Sequence, residues 1–219
     1  MASPGAVPLV PPPGIRALVR AGVLDAEVAA LVWLLLEGGL PILVCGPASE
    51  PDLTGTLNAL LELRTPASLN SPASPHSPSP PRSPASPALK SGSGGANGDA
   101  RPGRRPGTTL RASSLREAFE ILQAEPFNLS DDELRALGIV VVLEGGRATA
   151  VHYVRPVERD KEGHLQRRPP AVLATWDPER AAFEHFAWAV TPELAVRVGR
   201  TQADLEEEQA RRQASFTGV

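Results

Sequence analysis

Residues 40–64 read LPILVCGPASEPDLTGTLNALLELR, and the order of side-chain types in this stretch decides the fold class. LPILVC, Leu40 to Cys45, is a short apolar run beside glycines, which predicts a buried strand. GPASEPDLTG predicts a loop, and TLNALLELR returns to helical spacing. Working outward, Gly38 and Gly39 end a helix over AEVAALVWLLLE, since glycine accepts the left-handed terminal conformation without steric cost. Asp25 is placed to cap that helix, with Leu24 as a hydrophobic staple. IRALVRAGV predicts a short helix before it. Helix, strand, loop, helix is an α/β arrangement with the strand buried under helices.

A strand, a glycine-opened loop and a helix are also the setting of a phosphate-binding loop, whose pattern is G-x-x-x-x-G-K-[S/T]. Its glycines let backbone N–H groups curl around phosphates, its lysine neutralises charge, and its hydroxyl binds magnesium. Here Gly46 opens the loop, but the second glycine and the lysine are absent. Glu50 and Asp52 put negative charge where the lysine would attract a triphosphate. The positions left to face a nucleotide are Gly46, Ser49, Thr54, Gly55 and Thr56. On spacing alone, the stretch also fits an ordinary strand, turn and helix.

The 219 residues suffice for one sizeable domain or two small ones, and 24 prolines and 19 glycines are unevenly spread among them. Composition divides the chain into a disordered tail (1–13), an N-terminal α/β fragment (14–64), a disordered Ser/Pro/Gly linker (65–107) and a C-terminal α+β region (108–219). In the linker, Pro72, Pro75, Pro78, Pro81, Pro84 and Pro87 recur every third residue, the repeat of polyproline II. A net charge of −3 gives no reason to expect a nucleic-acid partner. No apolar run reaches the length of a membrane span, and the N-terminus lacks the pattern of a signal peptide. One cysteine, Cys45, excludes an internal disulfide. The expectation is a cytoplasmic protein that does not span a membrane.

In the C-terminal region, Ser114 to Glu117 and Ser130 to Glu133 both fit capping boxes ahead of helices. IVVVLE, Gly145-Gly146 and RATAVHYVRPVE predict a β-hairpin. AVLATWD and AAFEHFAWAV predict a second strand pair, followed by a short helix from Thr191-Pro192 and a charged helix from about Gln202 to Ser215. Glu144 imitates the carboxylate at the end of a magnesium-binding strand, but the glycine turn after it argues for a hairpin. His152, His164 and His185 have no metal-ligand spacing, and Cys45 reads as a small core residue. Arg159, Lys161, Arg167 and Arg168 read as a solvated basic loop. No catalytic residue and no metal ligand is assigned.

Two segments resemble the type II/IV secretion-system (pilus and traffic) ATPases. LVRAGVLDAEVAALVWLLLEGGLPILVCGP…LNALLEL is similar to the helices and strand around that family's phosphate loop. TTLRASSLREAFEIL is similar to its ATLHA-type segment, whose catalytic histidine corresponds to Arg111 here. The resemblance implies a P-loop-type three-layer α/β core, fragmentary because the linker stands where the family carries a central strand with the magnesium-side carboxylate. With that piece missing, the strand over 40–45 is expected to lack neighbours. The expected function is a non-hydrolysing assembly or interaction module of a secretion or pilus system, a homo-oligomer or ring with related ATPases, needing no cofactor. An alternative is a nucleotide-binding NTPase that takes ATP and magnesium through Ser49, Thr54 or Thr56. Another is a non-functional truncated product, since a GC-rich reading in a wrong frame can produce the linker's Ser-Pro pattern.

Overall fold

The computed structural model describes residues 10–47, 52–64 and 107–217. The expectations for residues 1–9, Ser49, Glu50 and 65–106 lie outside the described residues.

Helix α1 spans Pro13–Arg20, so the expected tail ends earlier than residue 13. Proline suits a first helical position because its fixed φ is already helical and its missing N–H has no partner there. The helix closes before the expected Val23, at left-handed Gly22, where Val23 N–H bonds back to Leu18 O. Helix α2 covers Ala26–Glu37 as expected, capped by Asp25 through a 2.8 Å bond from Val28 N–H. At its end Gly39 is left-handed and Leu40 N–H reaches Leu35 O, the Schellman closure. Strand β1 is Ile42–Gly46, all five residues buried.

Helix α3 spans Leu53–Leu61, three residues earlier than its sequence expectation, because Asp52 caps it. Strand β2 is Gly107–Arg111, where the sequence predicts no element and places Gly107 in the linker. Helices α4 (Leu115–Gln123) and α5 (Asp131–Leu134) lead to strand β3, Ile139–Glu144. Left-handed Gly145 and Gly146 turn it into β4, Arg147–Tyr153, as the sequence predicts. An excursion pairs β5 (Glu158–Arg159) with β6 (Leu165–Gln166). Strands β7 (Ala171–Asp177) and β8 (Ala182–His185) form the second predicted pair, although β8 stops at His185, short of the predicted Val190. A 3-10 turn at Ala187–Ala189, helix α6 (Thr191–Arg197) and helix α7 (Gln202–Thr217) complete the description.

The architecture is mixed α/β. One six-stranded sheet has the order β2-β1-β3-β4-β7-β8, parallel in its first three strands and antiparallel from β3 onward. The expectation that β1 lacks neighbours is overturned: β2 pairs along one side of it from Ile42↔Gly107, and β3 along the other from Ile42↔Ile139. Segments on both sides of the proline-rich interval thus build one sheet. A larger core joins α1, α2, α3, α6 and α7 to one face of the sheet through Ile42, Val44, Ile139, Val141 and Leu143. A smaller core sets α4 and α5 on the other face against Leu43, Cys45, Val140 and Val142. Alternation along β1 and β3 sends successive side chains to opposite layers, which is why both strands read as unbroken apolar runs.

Gly138 joins α5 to β3 with φ +53°, and a β-carbon there would lie 2.7 Å from Pro41 O, against the start of β1. Gly138→Ala should therefore destabilise the protein by about 1–3 kcal/mol. In urea, tryptophan fluorescence and the far-UV signal should still change in one coincident transition, shifted to lower denaturant. Separate transitions would show that the two chain segments fold independently.

Candidate functional site

The carboxyl ends of β1 and β2 mark the position where sheets of this kind carry a crevice. From β1 the chain leads to α3, whose Leu53, Leu57 and Leu60 belong to the larger core; from β2 it leads to α4, whose Ala118 and Leu122 belong to the smaller. Adjacent parallel strands whose outgoing chains part to opposite faces leave an opening between them, the usual ligand position in such sheets.

Gly46 lies at the end of β1, buried, and its carbonyl accepts Ala112 N–H at 2.9 Å. It serves the ladder to the β2 side. Asp52 caps α3, its Oδ1 accepting Gly55 N–H at 2.7 Å while Thr56 N–H bonds to Asp52 O at 3.2 Å. Thr54 and Gly55 therefore stand in the first turn of the helix, not before it as the sequence predicted, and Thr56 lies three residues inside the helix, not at its start. Thr54 is exposed, and Thr56 is buried at 7 % exposure. A β-carbon on Gly55 would meet both Asp52 carboxylate oxygens at 2.3 Å, so glycine here makes room for the cap. Ser49 lies outside the described residues.

The feature that sequence reasoning missed is a fastening between the β1 and β2 ends. Arg111 Nη1 donates to Pro47 O at 3.3 Å, so the residue at the resemblance's histidine position ties the first residue of the loop. Beside it Ser113 donates to Glu117 Oε2 through its N–H at 2.7 Å and its hydroxyl at 2.5 Å. These bonds hold the Glu117 carboxyl below the usual carboxylate range. Ser114 does cap α4, accepting Glu117 N–H at 3.2 Å, but the reciprocal bond goes to Ser113 and the expected capping box is displaced by one residue. The box at Ser130 and Glu133 is complete. Adjacent serines with a glutamate four residues beyond the first were the available signal.

Cys45 is buried in the smaller core. Burial first, and then the negative charge of Glu117, push its thiol up to about 12.

The other sequence candidates lie away from the crevice or serve the fold. Glu144 pairs in register with Arg147 across the hairpin turn. His152 lies on β4 opposite Val140 and Val172, and burial lowers its pKa. His164 is exposed, 3.4 Å from Asp160. His185, at the end of β8, sits 2.9 Å from Asp25 and 3.5 Å from Glu27, tying the sheet edge to the start of α2. The basic loop is not merely solvated. Arg167 pairs with Asp132 at 2.9 Å, Arg168 with Glu193 at 3.1 Å, and Arg155 with the same Glu193 at 2.8 Å, so the excursion is bound to α5 and α6.

Among the described residues, no three His, Cys, Asp or Glu side chains converge so as to hold a metal ion. No described helix is long and apolar enough to cross a membrane. No protein-family model matches the chain, and no curated protein matches it.

The Cys45 environment gives a direct test. A thiol raised from 9.0 to about 12 is almost entirely protonated at pH 8, so iodoacetamide should label Cys45 only after unfolding. The sign of the linkage follows. The folded state keeps its proton longer than the unfolded chain, so Cys45 contributes no pH dependence below about pH 8 and a loss of stability as pH rises through 9 toward 12. Mass spectrometry of native and urea-treated samples reads the labelling, and Cys45→Ala should remove this part of the alkaline loss.

Proposed function

We propose that this chain is a non-hydrolysing relative of the P-loop secretion ATPases, acting as an assembly or interaction module of a secretion or pilus machine. The observation that carries this reading is the Asp52 carboxylate on the amide of Gly55, 2.7 Å away, at the start of the helix after β1. A phosphate loop needs that helix start for the anion, because its N–H groups and dipole favour negative charge. Here the chain supplies its own anion. A triphosphate would have to displace a carboxylate fixed by the backbone and would meet no lysine within the segment Gly46 to Arg64.

Phosphoryl transfer depends on positioning and charge neutralisation, so loss of the cation removes most of what such a site contributes. What remains is a strand–helix scaffold in one continuous sheet, with surface available to partners. Trp188 is 75 % exposed and Val196 80 % exposed, one on the 3-10 turn and the other on α6.

Titration with a fluorescent ATP analogue, with and without magnesium, tests the reading. The expected outcome is no saturable binding at high protein concentration in either condition. Micromolar, magnesium-dependent binding would overturn it and favour a working NTPase with an atypical loop. Asp52→Ala should cost about 0.5–2 kcal/mol of stability through loss of the cap. Removing the carboxylate restores no lysine, so this variant should not gain ATP hydrolysis, as a phosphate-release assay would show.

A further inference from the structure

Helix α7 lies across α2 with few apolar anchors. Of its described side chains only Leu205 and Arg212 are buried. Phe216 adds a partly buried ring set edge-on to Trp33, 6.2 Å between centroids. The helix beneath is the opposite kind: every residue of α2 from Val28 to Leu36 is buried. A helix that is apolar all round must be covered on each side. Over Trp33 the cover is α7.

That cover is held largely by one arginine. Arg212 is 3 % exposed, stacks 4.5 Å over the Trp33 ring, and pairs with Glu37 of α2 and Glu208 of its own helix. Its Nη1 is buried and has no hydrogen-bond partner among the described residues. A buried ion pair gives little net stability after desolvation, and an orphaned buried donor opposes docking outright. Nearer the amino end, Asp204, Glu207, Glu208 and Arg211 line an open cleft of about 680 Å³ with Gly199, Arg200 and Thr201. The cleft sits at the joint with α6, where Gly199 has φ +70° and open space around its α-carbon.

We propose that α7 is a strap that opens as a unit at Gly199–Thr201, uncovering the Trp33 face of α2 while the six-stranded sheet stays folded. Weak apolar anchoring, a cleft beside the helix and an anchor that opposes its own burial mark a segment of low local stability. Opening frees the orphaned donor to water and sets the two carboxylates in solvent. It leaves the buried strand ladder untouched.

Hydrogen exchange of the full chain under native conditions, read by mass spectrometry, tests this. Amides of residues 207–216 should exchange together, on the order of tenfold or more faster than those of α2 and β1. Arg212→Met keeps an unbranched stem over Trp33 and removes the orphaned donor, so it should slow exchange of α7 relative to the core. Arg212→Ala removes the stacking as well and should speed it. The proposal is overturned if α7 exchanges at the rate of the core, or if its rates only grade from the carboxyl end as in fraying. Should Arg212→Ala fail to fold, the wild-type profile decides alone.

Discussion

Strand β1 is buried on both faces, and the rest of the structure follows from that constraint. Its side chains alternate between two cores, so neither face can be left to water. Its backbone donors and acceptors are then satisfied only by strands on both edges. Those strands come from beyond the proline-rich interval, β2 on one side and β3 on the other, each parallel to β1. Parallel neighbours require crossovers, and the crossovers bring helices onto both faces. The antiparallel ladder β3–β4–β7–β8 then extends the sheet, and α7 returns to cover α2, with α6 in the same core.

The same constraint explains what could be read in the sequence. Ala26–Glu37, Ile139–Glu144 and the Gly145–Gly146 turn were legible because local signals decide them: a cap, an apolar run and two glycines able to take positive φ. β2 was not legible. Its GTTLR is half-buried, carries no apolar run, and becomes a strand only because β1 needs a partner. The three-residue error at the start of α3 has a similar origin: Gly55 looks like a loop glycine until Asp52 is seen to require its small size. Likewise the spacing of His185 gives no hint of Asp25 and Glu27, which tertiary packing brings beside it.

Electrostatics separates fastening from chemistry at the crevice. Each charged group described there is engaged within the chain: Asp52 with the start of α3, Arg111 with Pro47, Glu117 with Ser113. A site built to receive an anion leaves donors converging on open space. The excursion between β4 and β7 is similar, because there Arg155, Arg167 and Arg168 turn onto Asp132 and Glu193. In both places, charge that sequence alone offers to a ligand or partner is spent on holding segments together.

Under the proposed reading, the Asp52 cap also orders the steps by which a phosphate site would be lost. An aspartate at the first cap position stabilises α3 by about 0.5–2 kcal/mol in the absence of any ligand. A phosphate loop obtains the same stabilisation only with nucleotide bound, because its helix start stays open for the anion. Once the lysine is absent, the ligand-dependent term falls and the ligand-free helix start is left poorly satisfied. A carboxylate there restores the helix end and makes the loss harder to reverse, since regaining the lysine would no longer suffice while Asp52 remains. Gly55, hemmed by both oxygens of that carboxylate at 2.3 Å from where its β-carbon would be, marks a local geometry fitted to the cap.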